Sequence, residues 1–239
     1  MAKTNNDLFR DFMELYRQFV ALDLIVSLYP IGRNEKLIRE FLEVFIILLN
    51  PIKVFSLENR EKAINSLKSN VINYIDKHQD IHYQYRLEEL ERDYSITSPI
   101  RLKDIEPLTT YLKEFLFALN KYGKNIILKQ PTIEFNNALS HIFVGYFGSD
   151  TEINTNVSRA KTHLYRGTLD IYKYVIKEKA YISTSEENCS KVINTYCNKE
   201  LDKNKKLSDL RLFEFSTIGL EVSNGEKHKI IQNLKYIIT

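Results

Sequence analysis

The chain predicts an all-α fold, a multi-helix bundle array of about eight or nine helices with no extended sheet. Three observations carry that expectation. Only 7 Gly and 5 Pro in 239 residues leave few sites for tight turns. An apolar content of 44% and a charged content of 27%, rich in Leu, Ile, Lys and Glu, suit long amphipathic helices rather than a disordered chain. Apolar residues also recur every three or four positions along most of the sequence, the period of one helix face. Strand signals are confined to two short runs, 126–129 and 180–184.

Taken in order, Asn6 or Asp7 is expected to cap a first helix reaching Tyr29, with Leu8, Phe12, Leu15, Phe19, Leu22 and Val26 on its inner face. Pro30 and Gly32 end it. Asn34 caps a second helix through Leu49, stopped at Asn50-Pro51 because the residue before proline avoids helical angles. Its second half is apolar nearly all round, the mark of a central helix. Ser56 is the expected N-cap of a third helix, with Leu57, Ile64, Leu67, Val71 and Tyr74 inward. A fourth follows over 80–94, burying Tyr83, Leu87, Leu90 and Tyr94. After Ser98-Pro99, Asp104 caps a helix in which Pro107 falls in the first turn, where its missing N–H costs nothing. Gly123 closes that helix.

The stretch 124–131 reads as extended and divides the chain into two expected helical bundles, 1–123 and 132–239. The second opens with helices over 133–147 and 152–179. Beyond them, further helical segments are expected over 185–202, from Ser208, and over 226–238 after an Asn224-Gly225 turn. The fixed 20- to 50-residue period of a repeat architecture is absent.

Charge and cysteine use narrow the function classes. A net charge of +3, with only Lys199, Lys203, Lys205 and Lys206 clustered and diluted by Glu200 and Asp202, is weak for a non-specific nucleic-acid binder. Cys189 and Cys197 have neither zinc-site nor redox CxxC spacing. The start of the sequence lacks a basic-then-apolar leader pattern, and the most apolar run, 41–50, is too short to span a bilayer. These features predict a cytoplasmic protein with no membrane segment. His78 and His82 fall four apart across a helix junction and read as exposed residues rather than metal ligands. No phosphate-binding loop, nucleophile elbow or di-iron ExxH pair is present, so no metal and no cofactor are implied.

The polar residues that stand out lie on the two helices after residue 132. On the second, Arg159, His163, Arg166 and Asp170 fall at i, i+4, i+7 and i+11, hence on one face. On the first, Glu134, Asn137 and His141 fall at i, i+3 and i+7. Short-linked helices pack antiparallel, so the two lines can meet. Three readings are open: a solvated face, a buried structural network, or a ligand or catalytic site. The chain covers its surface mostly with lysine, so two arginines and a histidine here suggest bidentate recognition of a carboxylate or phosphate. Gly167, in mid-helix, costs about 1 kcal/mol against alanine and suggests a close neighbour. From that closeness, Arg166 is expected to be shielded and coupled to Asp170, with Glu134 as a second carboxylate partner.

The segment from Thr132 onward distantly resembles the HEPN superfamily, all-helical proteins of bacterial toxin, CRISPR and phage-defence systems. The matching residues are Arg159 and His163, in Arg-Ala-Lys-Thr-His. Active members cut RNA without metal, using an Arg and a His on one helix, brought together across a homodimer. The family sets more residues between its Arg and His than the three found here. The expected function is therefore a non-catalytic helical binding or adaptor module, with a protein partner or a second copy and RNA or a nucleotide as candidate ligands. The alternative is a metal-independent RNase using Arg159 and His163.

Overall fold

The computed structural model describes residues 3–26, 35–50, 53–94, 102–122, 129–147 and 153–182. Every regular element among them is helical: α1 (Asn5–Val26), α2 (Glu35–Leu49), α3 (Leu57–His78), α4 (Tyr83–Asp93), α5 (Leu102–Ile105), α6 (Thr109–Tyr122), α7 (Lys129–Phe147) and α8 (Ile153–Ile182). The fold is all-α, as expected. A single 3₁₀ turn, Glu106–Leu108, links α5 to α6 with Pro107 at its start. No helix among the described residues is long and apolar enough to cross a membrane. The turns at Pro30–Gly32, Pro51, Ser98-Pro99 and Gly123, both cysteines, the lysine cluster and the segments expected after residue 184 lie outside the described residues.

Helix starts follow local hydrogen-bonding chemistry. Thr4, not Asn6 or Asp7, begins α1. Its Oγ1 accepts from Asp7 N at 3.2 Å, while Asp7 Oδ2 accepts from Thr4 N at 2.9 Å. This is a reciprocal capping box, with Asp7 as the third helical residue, the position normally taken by Glu. Those bonds from Thr4 hold the Asp7 carboxyl below its ordinary range. Ser56 caps α3 as expected, its Oγ accepting from Asn59 N at 3.2 Å. Ser56→Ala should therefore cost about 1 kcal/mol in urea unfolding. A change under about 0.3 kcal/mol would mean that water replaces the cap.

Contacts divide the chain into two compact units, one of residues 1–117 with 125–167, the other of residues 118–124 with 168–239. In the first, α1 is the hub and packs against α2, α3, α4, α5 and α7. Its expected stripe is buried through Leu22, and Phe9 and Tyr16 join it. Phe12 stacks on Phe45 at 5.5 Å and meets Phe41 edge-on, and Tyr16 meets Phe41 and Phe143 edge-on. α2 buries Leu37, Ile38, Phe41, Leu42, Val44, Phe45 and Leu48, the central position its sequence predicts.

Four expectations change. α7, expected to open the C-terminal bundle, packs on α1 and α2: Phe9 meets Tyr146, and the Tyr16 hydroxyl donates to Asn136 O at 3.2 Å. Its buried Phe143 and Tyr146 set their rings against Tyr16 and Phe9 of α1. Residues 129–131, expected to be extended, form the first turn of α7, where Pro131 needs no N–H partner. Residues 180–182, part of a strand candidate, continue α8. On α3 the buried stripe is Arg60, Ile64, Leu67, Val71 and Ile75, while Leu57 at its start is exposed.

Arg60 is the least expected core residue. Its side chain is fully buried, and the four oxygens that accept from it are neutral. Nε donates to Phe55 O at 3.0 Å, one terminal nitrogen to Asn5 Oδ1 at 2.8 Å and Leu48 O at 2.5 Å, and the other to Asn50 O at 2.5 Å. One guanidinium thus ties the start of α1 to the end of α2 and the turn before α3. It satisfies carbonyls that a helix C-terminus leaves without partners, and its charge suits the negative end of the α2 dipole. Burial pushes the Arg60 guanidinium below its ordinary pKa.

Candidate functional site on helices α7 and α8

The two polar lines meet, and antiparallel order follows from which residues pair. Glu134, early in α7, contacts His163, late in this part of α8; His141, further along α7, contacts Asn156, nearer the start of α8. His163 Nδ1 lies 2.7 Å from Glu134 Oε2, and the Gln130 amide donates to Glu134 Oε1 at 3.2 Å. His141 Nδ1 lies 3.2 Å from Asn156 Oδ1. The two imidazoles stack, with centroids 5.2 Å apart and planes 23° from parallel. A protonated His163 makes the contact to Glu134 an ion pair; a neutral ring with hydrogen on Nδ1 still donates to the carboxylate.

Burial is graded across the cluster. The Glu134 and His163 side chains are 10% and 20% exposed, and Asn156 is buried. Asn137 is half-buried one turn from Glu134, and its carbonyl accepts from Ser140 Oγ at 2.8 Å. The His141 ring is held below the ordinary imidazole pKa, first by burial, then by the positive charges of His163 and Arg159; the Asn156 contact opposes this.

Gly167 explains how α8 comes so near. A Cβ there would stand 2.4 Å from Phe115 Cε2 and 3.1 Å from Glu134 Cβ. The close neighbour expected from this glycine is real, and it consists of an α6 ring and the α7 carboxylate residue. Phe115 is itself buried and set against Phe135.

The arginines part company with the rest of the line. Arg159 and Arg166 are both exposed. For Arg166 this overturns the expected shielding. The tight contact is made at Gly167, and the next residue along a helix points about 100° away. Asp170 is half-buried and belongs to the second compact unit. The carboxylate partner of the cluster is thus Glu134, and it serves His163.

Two members were missed. Asn156 sits seven residues before His163, on the same helix face, and that spacing was available to find it. Gln130 sits four before Glu134 but precedes the expected helix start. His78, expected to be exposed, is half-buried with its ring tilted 55° against Tyr74 at 4.7 Å, and His82 is exposed. Among the described residues, no group of three or more His, Cys, Asp or Glu is placed to hold a metal ion.

No protein-family model, no curated protein and no solved structure matches this chain.

Proposed function

We propose that the chain is a non-catalytic helical binding module whose α7–α8 face takes an anionic ligand through Arg159 and Arg166. The observation supporting this is the split within the polar line. Glu134, His163, His141 and Asn156 spend hydrogen-bonding capacity on one another in the helix seam, while both guanidiniums face solvent. A planar guanidinium fork matches phosphate or carboxylate geometry. With a net charge of only +3, such a face makes a few phosphate contacts rather than forming an extended basic groove. A protein partner or a second copy of the chain completes the surface in this reading, and the HEPN-like resemblance suggests a bacterial defence or toxin setting.

A second reading, metal-independent RNA cleavage, is favoured by one distance. With Glu134 at Nδ1, the His163 ring is oriented and its Nε2 is left to handle a proton. Arg159, one turn before it, would then offset charge developing on phosphorus.

One experiment separates the two. A labelled RNA oligonucleotide and total RNA are incubated with the protein in EDTA, and binding and chain length are followed. The module reading expects salt-sensitive binding with intact RNA, and a loss of roughly fivefold to tenfold in affinity for each of Arg159→Ala and Arg166→Ala. Cleavage that disappears in His163→Ala would establish the RNase instead. Absence of both from folded protein rejects RNA as the anion.

A further inference from the structure

We infer that the α7–α8 seam is built around a neutral His141: Glu134 is placed to balance charge on His163 alone, so acid that charges the stacked His141 releases α8 from α7. This concerns the proton inventory of the cluster and stands whether or not the outer face binds an anion.

The geometry gives the reason. Two imidazoles 5.2 Å apart and nearly parallel face each other across the seam, and among the described residues the one carboxylate at hydrogen-bond distance, Glu134, reaches His163 and not His141. His141 instead meets the Asn156 side-chain oxygen, a neutral acceptor that can take one N–H but cannot balance an imidazolium. Among the described residues, the charged groups bearing on the pair are Glu134 from α7 and Arg159 from α8, and the second adds positive charge. α6 brings the Phe115 ring against Gly167 beside the cluster. α1 and α2 pack on α7, whose Phe143 and Tyr146 rings meet Tyr16 and Phe9 of α1. A positive charge on His141 would therefore have no carboxylate among the described residues at hydrogen-bond distance to balance it, with Arg159 adding to the repulsion.

The direction of the pH effect follows. His141 has a depressed pKa when folded and an ordinary one when unfolded. Below about pH 6.5 the unfolded chain takes up this proton and the folded chain resists it, so stability falls with acid and is fully present above that range.

The test is imidazole NMR on the full chain, with His141→Phe as the companion variant. His141 should titrate below the ordinary imidazole range. Stacking phenylalanine at 141 keeps the ring contact without the proton, so the drop in melting temperature from pH 7.5 to 5.5 should shrink. A His141 that titrates at or above the ordinary imidazole range overturns the inference. So does a folded His141→Phe variant with the same acid sensitivity as the wild type. If that variant does not fold, the wild-type titration alone decides.

Discussion

Arg60→Ala is expected to destabilise the first unit by about 4 kcal/mol, the largest effect of any single substitution considered. Two costs add. Truncation leaves a cavity where a fully buried side chain stood, and it strands the Phe55, Leu48 and Asn50 carbonyls with the Asn5 amide oxygen. A buried polar group left without its partner costs about 1–3 kcal/mol, and water entering the cavity would recover part of the sum. Desolvation of the guanidinium is the opposing term; it is relieved on mutation, which is why the estimate stays below the sum of four lost bonds. Arg60→Lys should recover less than half, since one ammonium atom cannot reach acceptors on three separate segments. Urea unfolding provides the measurement, read as a shift in midpoint at constant slope. A loss below about 1 kcal/mol in the alanine variant would mean that those carbonyls find other donors.

Gly167→Ala should destabilise by about 1–3 kcal/mol, although alanine is the better helix former. The propensity gain is about 1 kcal/mol. Against it stands a methyl placed 2.4 Å from the Phe115 ring, which is buried and cannot swing out, and 3.1 Å from Glu134 Cβ. Relief requires α8 to move off α6 and α7, and Glu134 is the residue that holds His163. The variant should therefore show both a lower melting temperature and a changed His163 ring signal. An alanine variant of equal or greater stability, with His163 unmoved, would show that the contact relaxes at no cost.

Much of the fold was legible because it rests on periodicity. The α1 and α2 stripes, the Ser56 cap and the passage of the chain through Pro107 all follow from local rules that tertiary packing did not override. What was not legible depends on partners far along the chain. The α3 stripe could be read from Ile64 onward, but no pattern announces that Arg60 replaces Leu57 at its head, because its acceptors are mostly backbone carbonyls. The meeting of the two polar lines was readable from spacing and antiparallel packing. Their division was not: the exposure of Arg166 depends on which side of Gly167 the neighbouring helix approaches. The packing of α7 on α1 and α2, in addition to α8, was not legible for a related reason. An amphipathic helix shows that it has a partner, not which one.

The α1–α7 pairing joins residues 120 positions apart, as the Tyr16–Asn136 bond marks. Helix formation is local and fast, but closing that loop must wait for the later partner. During synthesis, a chain emerging in order presents α1 long before α7 exists to cover it. Phe9 and Tyr16 then lack Tyr146 and Phe143, so the growing chain carries an aromatic surface that its own finished form conceals. Such surface is what chaperones bind and what drives aggregation of nascent chains. The interval between making α1 and making α7 is thus the vulnerable period in this protein's production, and slower synthesis through residues 27–128 would lengthen it.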